Sequence, residues 1–145
     1  MKRALDLARA AADEGEVPVG AVIVRGESVI AEAANRTERD HDPTAHAEIL
    51  ALRQATQVLG YERLDGCTVY VSKEPCPMCA GAMVLARVER CVYAVADPKS
   101  GAAGSVLNVL QVPGLNHQVL ITSGILAREA AQILKTFFAR LRERS

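Results

Sequence analysis

The sequence predicts an α/β fold, a three-layer α/β/α sandwich with a central, mixed, five-stranded sheet and helices on both faces. Three observations carry this expectation. Helical and extended patterns follow one another in the order α-β-β-α-β-α-β-α-β-α, which folds as one sheet covered by helices. The extended stretches are short, apolar and rich in β-branched residues, as in Ala21-Val22-Ile23-Val24 and Cys67-Thr68-Val69-Tyr70-Val71. The links are of two kinds: a tight turn at Gly26-Glu27 makes a hairpin, and the longer gap before the last strand allows a parallel crossover.

The elements follow in order. Residues 2–14 read as a helix with Leu5, Ala8 and Ala12 on one face and Gly15 as its C-cap. Val17-Pro18-Val19-Gly20 leads into a buried strand, 21–25; Ser28 to Ala31 begins its partner, which Asn35 ends. A polar loop, 36–41, reaches a second helix over 43–58, for which Asp42 is the expected N-cap, Pro43 the first position and Gly60 the stop. Strand three is 67–72, and Lys73-Glu74 carries the chain into the Pro75 turn. A helix opens at Cys76, with Pro77 at its first position, and continues through Ala80, Met83, Val84 and Arg87. Strand four is 91–95. Residues 97–105, rich in Gly, Ala and Ser, read as a loop. A short helix near 106–110, the Pro113-Gly114 turn and strand five, 118–122, come next. The last helix spans 125–142, with Leu126, Ala130, Ile133, Leu134, Phe137 and Leu141 as its apolar stripe. Residues 1–145 read as a single domain.

Composition narrows the function classes. Half of the 145 residues are hydrophobic, enough for a core, yet no run of about 18 apolar residues suggests a membrane span. The charged residues near the start, Lys2, Arg3 and Asp6, interrupt any secretory apolar region, so the expected compartment is the cytoplasm, where thiols stay reduced. Cys67 and Cys91 open apolar strands and are read as buried strand residues. Net charge is zero, so no global basic field points to nucleic acid. The charge is uneven, however: residues 128–145 hold five basic residues (Arg128, Lys135, Arg140, Arg142, Arg144) against two acidic ones. Phe137 and Phe138 are adjacent, so one should pack inward while the other offers a contact surface.

The chemistry concentrates in His46-Ala47-Glu48 and Pro75-Cys76-Pro77-Met78-Cys79. At a helix start, Cys76 and Cys79 lie on one face, and the helix N-terminus favours thiolates. Two thiolates and one imidazole make three ligands for Zn²⁺ and leave a fourth position for water, the pattern of a catalytic rather than a structural site. His46 and Glu48, two apart, can converge only at a helix end, so two helix N-termini should face one ion. A Cys-x-x-Cys pair by itself could be a redox pair or half of a zinc knuckle; neither explains His46-Ala47-Glu48. Glu48 is the carboxylate placed to carry protons. His41 and His117 read as loop histidines.

Joined, these motifs resemble the signature of the zinc-dependent deaminases, and the resemblance extends along nearly the whole chain to the bacterial tRNA-specific adenosine deaminases. Val17-Pro18-Val19-Gly20-Ala21, Asn35, residues 41–49, 74–83 and 97–105, Pro113-Gly114-Leu115-Asn116-His117 and Phe137-Phe138 all carry it. The Gly-Ala-Ala-Gly-Ser loop and the Phe-Phe pair are its narrower pointers. The resemblance implies a cytidine deaminase-like fold and a homodimer that converts adenosine to inosine at the wobble position of a tRNA anticodon. It implies one zinc per chain on His46, Cys76 and Cys79, with Glu48 as proton shuttle. Asn35 would contact the flipped base or its sugar, and Ala47 is placed with the substrate-binding residues. Asp97 and Lys99 would lie near the neighbouring nucleotides, and Phe138 and Arg140 near the anticodon stem-loop. Two rivals stay open: a deaminase of a free base or nucleoside such as guanine, and a non-catalytic zinc-binding RNA module.

Overall fold

Apolar strands and the helices that cover them set the architecture. The computed structural model describes residues 1–145. Its elements are α1 (Lys2–Asp13), β1 (Gly20–Arg25), β2 (Ser28–Ala34), α2 (Ala47–Leu59), β3 (Cys67–Lys73), α3 (Pro77–Leu85), β4 (Arg90–Val95), a 3₁₀ turn (Val109–Gln111), β5 (Leu120–Thr122) and α4 (Ala127–Arg144). The five strands form one sheet in the order β2-β1-β3-β4-β5. The β1–β2 hairpin and the β1–β3 pair are antiparallel, whereas β3–β4 and β4–β5 are parallel. The α/β/α sandwich with a mixed five-stranded sheet is therefore the fold observed.

Alternation along the strands divides the core between two faces. Ala21, Ile23, Val69, Val71, Cys91 and Tyr93 pack with Ala47, Ala51 and Leu52 of α2 and Ala80, Met83 and Val84 of α3. Ala94, one residue further along β4, turns to the other face and meets Leu5 of α1 and Ala130 of α4. Gly20 lets α1 lie directly on β1: a Cβ there would overlap the Ala4 carbonyl and the Leu7 side chain. Cys67 and Cys91 are buried and unbridged, as expected of strand cysteines. No helix is long and apolar enough to cross a membrane.

Several element boundaries differ from expectation. The second helix starts at Ala47, not at residue 43, and its N-cap is His46 in an extended conformation. Asp42 closes a local turn instead, its Oδ1 accepting from Thr44 N–H and the Thr44 hydroxyl at 2.8 and 2.7 Å. The short helix shrinks to one 3₁₀ turn at 109–111 and strand five to Leu120–Thr122. Gln118 is held by the preceding turn, where its side-chain amide donates to the Val112 carbonyl at 2.7 Å, and Val119 N–H bonds Leu110 rather than the sheet. The last helix begins at Ala127, after Leu126 adopts a left-handed conformation, and runs on to Arg144.

Candidate functional site

Two helix N-termini meet at the site, each delivered by a local device. For α2 the device is Glu16, 2% exposed, whose carboxylate accepts from the N–H groups of Glu38 and Arg39 at 3.1 and 2.8 Å. That acceptor braces the 36–45 loop, whose end sets His46 at the N-cap and Glu48 in the first turn. For α3 the device is the Pro75 turn directly after β3: Cys76 is the N-cap and Pro77 the first helical residue, where the missing N–H costs nothing.

The outcome is one cluster. His46 Nδ1 lies 3.5 Å from Cys76 Sγ and 3.4 Å from Cys79 Sγ, and the three potential ligand atoms lie within 4.8 Å of one another. For a tetrahedral zinc with ordinary Zn–N and Zn–S bonds, the expected N···S edge is about 3.5 Å. Both N···S distances therefore fit such an ion. Electrostatics agrees. Hydrogen bonds from Cys79 and His46 pull the Cys76 thiol down to about 4, despite its burial. Cys79 is pushed up by donating to that thiolate, and His46 is raised by its hydrogen bond to Cys76. The two sulfurs thus share one negative charge, and a divalent cation between them would stabilise both as thiolates.

Glu48 is 4% exposed. Burial lifts its carboxyl to about 7, so it can exchange a proton near neutrality. With Asn35, His46, Ala47, Lys73, Glu74, Cys76, Asp97 and Ser100 it lines a cavity of about 210 Å³. Asn35 Nδ2 donates to the Val17 carbonyl at 3.3 Å, but its Oδ1 is buried without a partner. A buried acceptor in a pocket wall is costly unless a ligand satisfies it.

Seven of the residues singled out from sequence come together here: Asn35, His46, Ala47, Glu48, Cys76, Asp97 and, directly beneath the Cys76 turn, Cys79. Lys99 is exposed on the adjoining loop, where its N–H donates to Asp97 Oδ1 at 2.9 Å. Phe138 and Arg140 do not reach the cavity; both are on α4, and Arg140 lines a separate groove of about 730 Å³ between α1 and α4, with Arg9, Arg128 and Arg144. Phe138 is 38% exposed and Phe137 half-buried, their rings edge to face at 5.3 Å. His41 is an exposed loop residue, and His117 bonds the Val88 carbonyl at 2.8 Å, far in sequence from either motif.

The sequence reading assigned no task to Lys73 or Glu74. Lys73 Nζ pairs with Asp97 Oδ2 at 3.2 Å. Burial acts to raise the Glu74 carboxyl, but hydrogen bonds from Ser105, Asp97 and Ala103 outweigh it and hold the group below the usual range. The available signal was local: Glu74, a carboxylate between a buried strand and a ligand turn, has little solvated face to occupy.

Known proteins place this geometry in a family. The MafB19-like deaminase family model matches residues 1–142. The tRNA-specific adenosine deaminase of Bacillus subtilis (strain 168) is 46% identical over 144 residues, covering 99% of this chain and 89% of that protein. A solved structure from a study of A-to-I editing by tRNA:A34 deaminases at the wobble position of transfer RNA superimposes with a TM-score of 0.89 at 46% identity, covering 92% of this chain and 97% of that one. The guanine deaminase of Nitrosomonas europaea shares the fold at a TM-score of 0.81 and 28% identity, covering 95% of this chain and 82% of that one. Matched in sequence along almost its full length and in structure over the same elements, the chain belongs to the deaminase family that includes the tRNA-specific adenosine deaminases.

Proposed function

We propose that this deaminase converts adenosine to inosine at the wobble position of a tRNA anticodon, with zinc on His46, Cys76 and Cys79 and with Glu48 moving the protons. The observation that carries the reading is the His46–Cys76–Cys79 cluster with buried Glu48 in the same cavity, in a chain 46% identical to a tRNA-specific adenosine deaminase. Zinc, when bound, supplies the Lewis acidity that activates water for attack on C6 of the adenine ring. Glu48 takes one proton from the attacking water and gives it to the ring nitrogen, then carries the second proton, from the hydroxyl added at C6, to the departing amine, so that the C6 carbonyl forms and ammonia leaves. The unpartnered Oδ1 of Asn35 accepts a hydrogen bond from the base or its sugar, and Ala47 leaves room for the ring beside it. Asp97 and Lys99, on the rim, meet the neighbouring nucleotides. A cavity of about 210 Å³ suits a single extruded base, and an unpaired anticodon loop makes extrusion cheap.

The remaining features fit the same reading. Arg140 and its neighbours on α4 offer a basic groove outside the pocket for the RNA backbone, with Phe138 exposed beside it. Leu85 is 81% exposed and borders an apolar groove with Ile49, Pro77, Met78 and Leu115. A contiguous apolar groove of this kind marks a contact surface, and a second copy of this chain covers it in the proposed homodimer. Residues 1–145 act as one deaminase domain in the cytoplasm, where tRNA is found and the four free thiols stay reduced.

Incubation with total tRNA, followed by inosine mapping, tests the function. The expected result is inosine at the wobble adenosine and at no other adenosine. Unmodified tRNA together with turnover of free guanine would place the chain with the base deaminases instead.

A further inference from the structure

Glu74 stands between β3 and the N-cap Cys76, 3% exposed, and the chemistry above gives it no task. Its acceptor positions are all spent on one segment. Oε1 accepts from Asp97 N–H at 2.9 Å and from the Ser105 hydroxyl at 2.5 Å. Oε2 accepts from the N–H groups of Ala103 and Ser105 at 3.0 and 3.1 Å. Main-chain bonds close the same seam, Glu74 N–H to the Val95 carbonyl at 2.9 Å and Ala102 N–H to the Pro75 carbonyl at 2.8 Å. Gly101 lies flat against the carboxylate, and a Cβ there would overlap both the Glu74 side chain and the Asp97 carbonyl. The segment 97–105 is wound around one buried anion.

The other side of that segment faces the substrate cavity. Asp97 and Ser100 line it beside Lys73, and the Ser100 hydroxyl donates to Asp97 Oδ2 at 2.8 Å. Glu74, which itself borders the cavity, thus holds the cavity wall through the backbone amides of 97–105 on one side and meets the Cys76 turn through two peptide units on the other. We propose that Glu74 is a positioning residue for deamination. It locks the 97–105 loop against the Cys76 turn, so that the wall meeting the nucleotides beside the reacting base is built before RNA arrives. This rests on the RNA reading above. A carboxylate suits the task because it offers only acceptors; a Gln amide would point a donor at an N–H group. A preformed wall spares the ordering cost of a loop that closes on binding.

Glu74→Gln and, in parallel, Ser105→Ala test this. Ser105→Ala removes one hydroxyl at an exposed residue and leaves the fold's core untouched. Three quantities are read: amide hydrogen exchange across 97–105, zinc per chain, and kcat and KM on an anticodon stem-loop. In Glu74→Gln, exchange and KM should each rise about tenfold or more, the scale of a lost hydrogen bond to a charged group. Ser105→Ala should move both in the same direction by less. Zinc content and kcat should stay close to wild type. Unchanged exchange overturns the proposal, and so does raised exchange with unaltered KM, which would make Glu74 a brace without bearing on substrate. A joint loss of zinc and kcat overturns it too, since Glu74 would then act through the metal. If Glu74→Gln does not fold, Ser105→Ala decides by the same criteria. A wild-type enzyme inactive on the stem-loop rejects the RNA reading itself, before any variant is compared.

Discussion

At the scale of single residues, the site depends on which groups can hold a charge. Glu48 is buried in a cavity whose other carboxylates serve elsewhere: Asp97 pairs with Lys73, and Glu74 is saturated by hydrogen bonds. Glu48→Ala should keep one zinc per chain, because His46, Cys76 and Cys79 are intact, and should lower kcat by about 10²–10⁴-fold, the range of general acid–base catalysis. Elemental analysis beside single-turnover kinetics checks both halves, and near wild-type turnover at full zinc would remove Glu48 from the mechanism. Asp97 differs. Burial acts to raise it, but hydrogen bonds from Ser100 and Lys99 and the charge of Lys73 outweigh that and hold it at about 2. Its folded pKa lies below the unfolded value of about 3.9. The stability it contributes is thus complete above about pH 4 and is lost as pH falls toward 2. The difference in thermal stability between wild type and Asp97→Asn should be at its full size at about pH 5 and above and should narrow steadily on further acidification.

At the scale of elements, the chain builds the site from ends rather than middles. His46 and Glu48 could not face one ion from mid-helix, yet as N-cap and first-turn residues they share a cavity. The same logic places Cys76 and Cys79 at the start of α3. The sequence pattern made the second of these ends legible, because Pro77 marks a first helical position. It misplaced the first by four residues, because Asp42-Pro43 imitates a helix start while Asp42 actually closes a turn on Thr44. The helix α4 does different work. Arg140 and Arg144, one turn apart, line its groove with α1. Replacing both by Ala should raise KM for tRNA, leave the rate at saturation nearly unchanged and flatten the salt dependence by about one unit of slope per lost phosphate contact. Binding curves at two ionic strengths decide, and identical curves for variant and wild type would reject α4 as an RNA contact.

At the scale of the whole molecule, the sheet separates two kinds of surface. The α1 and α4 face carries the basic groove, and the α2 and α3 face carries the exposed Leu85. Burying a charge without a partner is costly, so Leu85→Glu should break the proposed homodimer, weakening self-association by about tenfold or more. Sedimentation velocity over a concentration series reads this directly. A wild-type protein that stays monomeric at every concentration would instead leave that face to another partner.

Local pattern alone determined the element order, the sandwich class, the buried strand cysteines and the candidate metal-binding trio. Each rests on short-range rules: the period of apolar residues, a Pro at a helix start, and ligand types at fixed spacing. Tertiary structure decided what depends on distance through space. Only the folded chain shows that Asn35 Oδ1 is buried without a partner, that Asp97 meets Lys73, and that Arg140 and Phe138 lie away from the cavity. Only the fold makes Glu74 an internal anchor, since the amides that satisfy it come from residues 97–105, brought to it by the parallel pairing of β3 with β4. A carboxylate's partners are set by where the backbone carries their N–H groups, and no spacing within its own stretch of sequence records that.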